Sequence, residues 1–320
     1  MERAQAFLVW LLLLLWAALR KGSAMTKKPF HLGSALALWL LAAVMIPMAL
    51  ANDPIDWQRA GELRRREQQG HPSDDGKIVL ISLGMSNTTQ EFSAFKTLAD
   101  ADPNKSPKVV IVDGAQGGQA AYQWAYPQAG PNARTPWDVM DQRILAAHVT
   151  VPQVQAVWLK QAEIGPARLG EFSAHAQSLR DDLAIILRQL KTHFPNLGLA
   201  YLSSRIYAGY ATTQLNPEPY AYESAFAVRW LIEAQIANDP NLNFDPLKGE
   251  VKAPLLLWGP YLWADGIQPR QSDGLVWTRA DLGPDGTHPS ASGRRKVADI
   301  LLTFFKTDAG AKAWFVKPKP

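Results

Sequence analysis

The sequence predicts a three-layer α/β/α sandwich around a five-stranded parallel sheet, flavodoxin-like in architecture. Three observations carry that reading. Short runs rich in Val, Ile and Leu do not alternate with polar residues, as strands covered on both faces require. Amphipathic stretches of helical period separate these runs. No internal repeat and no domain-splitting linker interrupts the alternation, so one domain is expected.

The elements follow in chain order. Residues 1–51 hold two apolar stretches, Phe7 to Leu19 and Ala35 to Ile46, around a basic patch of Arg20, Lys21, Lys27 and Lys28. Each is shorter than the roughly 20 apolar residues that a membrane-spanning helix needs. Met25-Thr26-Lys27-Lys28, the run from Ala35 to Ile46 and Pro47-Met48-Ala49-Leu50-Ala51 read as the n-region, h-region and cleavage site of a secretory signal. Cleavage is expected after Ala51, with residues 1–24 an upstream extension and a secreted or periplasmic product. The alternative is a membrane anchor formed by the two segments. Residues 52–76 are polar and predict a short lead-in helix and a loop. The sandwich then occupies 77–320.

Its strands are predicted at Ile78–Ser82, Val109–Val112, Val154–Leu159, Leu197–Leu202 and Leu255–Trp258. Helical spacing joins Leu179, Leu183, Ile186, Leu187 and Leu190. It also joins Phe226, Trp230, Leu231 and Ala234, and then Val297, Ile300, Leu301 and Phe304.

Charge excludes one class of partner. The chain has 33 basic and 29 acidic residues. Five basic and one acidic residue fall in 1–51, which leaves 28 of each and no net charge on the remainder. A nucleic-acid-binding role is not supported. The chain has no cysteine, so it has neither disulfides nor thiolate metal sites. No H-E-x-x-H or similar spacing suggests zinc, and no cofactor is expected.

In open parallel sheets ligands bind beyond the carboxyl ends of the strands, so polar residues there are the candidates for function. After the first strand, Gly84-Met85-Ser86-Asn87 leads into a helix start marked by the capping-box spacing of Thr88 and Glu91. Ser86 is then either a turn residue or a nucleophile beside unused backbone N–H groups. After the second strand, Asp113-Gly114-Ala115-Gln116-Gly117-Gly118 offers the Gly118 N–H as an oxyanion donor, with Gly117 as the alternative, or is simply a tight turn. After the third, Gln161 offers a neutral amide, and Glu163 reads as a structural acceptor. Before the last helix, Asp285 stands three residues ahead of His288, as a pair that orients and charges an imidazole would. The G-x-S-x-G nucleophile elbow is absent.

Taken in order, Ser86, Gly118, Gln161 and Asp285 with His288 resemble the four blocks of the SGNH hydrolase superfamily, the GDSL-like esterases. Gln161 takes the place usually held by asparagine. The resemblance spans roughly residues 77 to 306. G-x-S-N and Q-x-E are most similar to the G-Q-S-N and W-x-Q-G-E motifs of carbohydrate acetylesterases. Met85, Ala162 and the position of Trp158 depart from them.

The resemblance implies a serine esterase acting on a small acyl ester, with O-acetyl groups on a carbohydrate as one candidate. Ser86 would be the nucleophile, His288 the base and Asp285 its orienting carboxylate. The Ser86 and Gly118 N–H groups and the Gln161 amide would form the oxyanion hole. Asn87, Arg205, Tyr207, Trp258 and Trp263 are candidate substrate contacts; Asn87 serves otherwise as a turn residue, Arg205 and Tyr207 as supports of the loop after the fourth strand, and the tryptophans equally well as core fillers. An O-acyltransferase and a non-catalytic glycan- or partner-binding module are the alternatives.

Overall fold

The computed structural model describes residues 63–128 and 134–318. The expected signal segment, its expected cleavage site and the first part of the lead-in lie outside the described residues. Five strands, β1 (Ile78–Gly84), β2 (Val109–Val112), β3 (Val154–Lys160), β4 (Leu199–Leu202) and β5 (Leu255–Trp258), form one sheet in the order β2-β1-β3-β4-β5. Every pairing is parallel. This is the flavodoxin-like doubly wound order.

Successive residues of a strand face opposite sides, and here both sides are covered. Ile78 and Leu80 of β1 point into one core, with Phe92, Phe95 and Ala99 of α1 (Ser86–Ala101). Val297, Leu301 and Phe305 of the penultimate helix join that core. Val79, Ile81 and Leu83 point into the other. That second core is closed by α2 (Ala121–Ala125), α3 (Pro136–Ala146), α4 (Ala174–His193) and α5 (Tyr220–Ile236). The chain ends in α6 (Ala291–Thr307) and α7 (Ala309–Phe315). The first core is aromatic, with Phe95 and Phe305 stacked at 5.4 Å across α1 and α6.

Several expectations shift. β1 and β3 run on to Gly84 and Lys160, because their ends pair with each other. β4 begins at Leu199, since Leu197 N–H bonds the Phe194 carbonyl and closes a turn. The lead-in, where described, is a loop and not a helix: Arg66 bridges Pro72 and Lys77. In α5 the buried stripe is Ala221, Ser224, Ala227, Val228, Leu231, Ile232 and Gln235. Phe226, Trp230 and Ala234 sit beside that stripe, half-buried. Among the described residues no helix is long and apolar enough to cross a membrane.

Candidate active site

The strand order reverses direction between β1 and β3, so a crevice opens beyond their carboxyl ends. There Gly84 is opposite Lys160. A side chain at Gly84 would strike the Lys160 carbonyl and the Thr88 side chain. Met85 is the N-cap of α1, and Ser86 is its first residue. The Ser86 N–H therefore has no acceptor within the helix. The expected capping box does not form. Thr88 instead donates its hydroxyl to the Lys160 carbonyl at 2.6 Å, and Glu91 pairs with the Lys160 ammonium. Tertiary partners outcompete the local cap.

The loop before α6 meets this edge. Gly283 N–H bonds the His288 carbonyl at 2.7 Å, and Gly286 N–H bonds that of Gly283 at 2.9 Å. Gly286 has φ +65°, and a side chain there would collide with the Tyr210 carbonyl. The turn brings His288 Nε2 to 2.7 Å from Ser86 Oγ. On the other side of the ring, Nδ1 lies 2.5 Å from Asp285 Oδ2. An ionised carboxylate only accepts, so it assigns the proton to Nδ1 and leaves Nε2 to accept from the serine. Asp285 Oδ1 also accepts from the backbone N–H groups of Thr287 and His288, at 3.1 and 3.0 Å. Burial acts to raise the Asp285 carboxyl. The bonds from the His288 ring and from the two backbone groups outweigh it and hold Asp285 below its ordinary value.

Gln116, Gly117 and Gly118 form the third wall. Arg143 on α3 donates to the Asp113 and Ala115 carbonyls at 2.9 and 2.6 Å, and Gln116 N–H bonds the Gly84 carbonyl at 3.0 Å. A methyl on Gly117 would lie 3.9 Å from Ser86 Cβ, whereas one on Gly118, at φ +77°, would meet nothing. Of the two alternatives, Gly117 is the glycine whose missing side chain adjoins the serine. Gln161 is buried; its Nε2 donates to the Gln119 carbonyl at 3.0 Å, and its Oε1 accepts from Ala162 N–H. The amide thus holds the glycine loop with one N–H and keeps a second.

The other candidate contacts divide differently. Asn87 is buried, and its Nδ2 donates to the Thr287 carbonyl at 2.9 Å. It ties the start of α1 to the Asp285–His288 loop and presents nothing to a substrate. Arg205 is 2% exposed, so it has no open face either. Trp258 is half-buried against the second core. Tyr207 and Trp263 are half-buried, with ring centroids 6.2 Å apart.

Two supports escaped the sequence reading. Asp113 accepts from the hydroxyls of Ser82, Thr89 and Ser93 at 2.6, 2.5 and 2.7 Å, which fastens β2 to α1. Lys160 and Glu91 form an ion pair with 1% and 0% of their side chains exposed. Burial lowers the Lys160 ammonium to about 8 against the pull of Glu91, and raises the Glu91 carboxyl. A lysine closing an apolar run, and a glutamate beside Phe92 and Phe95, were the available signals. Glu163 is a third buried group. Desolvation and the neighbouring Asp182 carboxyl push it up to about 8. Among the described residues no cluster of three or more His, Asp or Glu side chains converges.

No protein-family model and no curated sequence matches the chain. Solved structures do. A candidate acylhydrolase from Bacteroides fragilis NCTC 9343 is 12% identical over 82% of this chain and 98% of its own, with a TM-score of 0.42. A GDSL-like lipase from Bacteroides thetaiotaomicron VPI-5482 is 10% identical over 82% and 98%, with a TM-score of 0.41. A carbohydrate esterase is 11% identical over 75% of this chain and 68% of its own, with a TM-score of 0.40. At such identities the chemistry rests on this chain's own residues.

Proposed function

We propose that the chain is a serine ester hydrolase of SGNH type, acting on small acyl esters. One observation carries the reading: an unbroken hydrogen-bonded line from Ser86 Oγ through His288 to Asp285. A serine hydroxyl is a weak nucleophile until a base takes its proton, and Nε2 is within reach of it. Oγ attacks the acyl carbonyl while its proton moves to Nε2. The oxyanion that forms is met by the Ser86 N–H, by the Gly117 or Gly118 N–H, and by the free N–H of Gln161. Collapse breaks the bond to the leaving alcohol, which takes the proton from His288. Water, deprotonated by the same nitrogen, then releases the acid and restores Oγ–H. Asp285 stays ionised and stabilises the imidazolium.

Openness of the site favours water over a sugar hydroxyl as acceptor. The His288 and Asp285 side chains are 30% and 34% exposed, so the described residues form no closed chamber that keeps water from the acyl-enzyme. Cleavage after Ala51 and export remain part of this reading, with residues 52–76 as lead-in and 77–320 as the catalytic domain. A fluorophosphonate probe and p-nitrophenyl acetate test it. Wild type is expected to be labelled and to hydrolyse the ester, and Ser86→Ala to do neither. Equal turnover by the two proteins would end the proposal.

A further inference from the structure

Three consecutive residues after β3 clasp the start of α2. Gln161 Nε2 donates to the Gln119 carbonyl at 3.0 Å, Ala121 N–H donates to the Ala162 carbonyl at 3.0 Å, and Tyr122 N–H donates to the Glu163 carboxyl. Residues 119–122 follow directly on Gly117 and Gly118, one of which supplies an oxyanion N–H in the proposed reaction. The clasp therefore sets the spacing of two oxyanion donors, one on the loop after β2 and one on the loop after β3.

Glu163 fastens this clasp to α4. Its side chain and that of Asp182 line one cavity of about 210 Å³, and the two carboxyls are hydrogen-bonded to each other. Ionised carboxylates only accept, so the bond requires a proton on one of them. Glu163 is the better holder. It is 6% exposed, and no protein donor reaches its buried Oε1. Burial raises both carboxyls; the Asp182 charge raises Glu163 further, whereas the bond from Glu163 draws Asp182 down. Neighbouring charges do not replace that proton. Arg168 is the one cation lining the cavity among the described residues, and its guanidinium donates to the Ile164 and Gly165 carbonyls. Asp181, next to Asp182 on α4, adds a negative charge and pairs with Arg180. Tyr122 of α2 brings a phenol and no cation.

We infer that Glu163 is a positioning residue, the donor in a carboxyl–carboxylate latch with Asp182, and that loss of its proton loosens the oxyanion donors and slows acyl transfer. The inference rests on the reading of Ser86 as an esterase nucleophile and adds an alkaline brake to it. Hydroxide takes the proton from Glu163 and becomes water; no other bond is made or broken. Two carboxylates left in contact away from solvent repel each other, and the repulsion falls on the turn that carries Gln161. A histidine base alone gives activity that rises with pH and levels off. The latch adds a fall on the alkaline side. That fall belongs to kcat, because donors that meet the oxyanion act in the transition state and not on the bound ester.

The test measures kcat and KM on p-nitrophenyl acetate from pH 6 to 9.5, with spontaneous hydrolysis subtracted. Wild type, Glu163→Gln and Asp182→Asn are compared, and the Tyr122 and Gly118 amide resonances of ¹⁵N-labelled protein are followed over the same range. Wild-type kcat is expected to fall about tenfold through a midpoint near pH 8, as the donors shift, with KM unchanged. Glu163→Gln should start about threefold lower, since an amide donates more weakly than a carboxylic acid, and show no fall. Asp182→Asn removes the charge that holds the proton, so its fall should move to lower pH by about one unit. Both amide resonances should titrate with kcat in wild type and stay fixed in Glu163→Gln. A flat wild-type profile, a fall shared by Glu163→Gln, or a change confined to KM overturns the latch and leaves the esterase standing. Amides that titrate in wild type alone, with no turnover of any ester, support the latch and remove the esterase. Amides fixed in wild type overturn the latch whatever the turnover.

Discussion

Replacing Glu91 by Gln strips the buried Lys160 ammonium of its carboxylate and leaves the Arg205 guanidinium, also buried, nearby. Both side chains of the pair are out of contact with water, so solvent cannot screen the loss. Breaking a buried pair by removing one partner costs about 3–5 kcal/mol, a large share of the roughly 5–15 kcal/mol that holds a domain together. The cost should also depend on pH, and its sign can be worked out. Lys160 is already held near 8 in the folded protein, against roughly 10.4 when unfolded. A depressed ammonium adds stability above the unfolded value and loses it as pH falls through the folded one. Without Glu91 the folded value drops further, so the variant goes on losing stability below pH 8 at up to about 1.4 kcal/mol per pH unit. The raised Glu91 carboxyl of wild type acts in the same direction, since its contribution is greatest below its unfolded value and fades as pH rises. Urea denaturation at pH 6, 7.5 and 9 should show a gap of about 3 kcal/mol or more at pH 6 that narrows towards pH 9. A gap under about 1 kcal/mol, or one that widens with rising pH, would refute the account of the pair as a buried, desolvated strut.

Five further outcomes are expected. Asp285→Asn should lower kcat on p-nitrophenyl acetate by between about 10² and 10⁴-fold, because the neutral amide no longer fixes the ring or stabilises its charge. Asn87→Ala removes the donor to the Thr287 carbonyl, a buried acceptor. It should cost about 1–3 kcal/mol in denaturant titrations and lower kcat through a misplaced His288. Gly117→Ala has room for its methyl beside Ser86, so thermal melting should hold while kcat/KM falls about tenfold as the acyl group is crowded; Gly118→Ala should instead cost about 1 kcal/mol of stability through its left-handed backbone. Glu163, raised to about 8, contributes stability that is complete below its unfolded value and lost as pH rises towards 8. Melting curves from pH 5 to 8 should therefore converge between wild type and Glu163→Gln, by on the order of 1 kcal/mol per pH unit.

The sheet was legible because parallel strands must be apolar on both faces. Val109–Val112 and Leu255–Trp258 match residue for residue, and β1 and β3 differ only where Gly84 and Lys160 pair across the crevice. Ser86, Asp285 and His288 could be picked out because each stands where a strand ends or a helix begins. What failed to show were the partners chosen in three dimensions. Thr88 and Glu91 have the spacing of a local cap, yet both serve Lys160, 72 and 69 residues away. Asn87 looked available and is spent on Thr287. Arg205, on a loop after β4, was a candidate substrate contact and is buried. The apolar pattern of α5 was blurred for another reason. Phe226 and Trp230 add hydrophobicity on a side that faces other aromatic rings and not the sheet.

Ser86 and His288 are separated by 202 residues of chain, and the packing of α6 on α1, with the Asn87 bond to the Thr287 carbonyl, brings them together. Contacts so distant in sequence form late and slowly. Ester turnover can therefore serve as a clock for the final step of folding. Tryptophan fluorescence from Trp124, buried in the second core between elements closer along the chain, should recover first. Catalysis should return only when α6 seats, and a chain that stops before residue 285 can have most of its sheet and no chemistry at all.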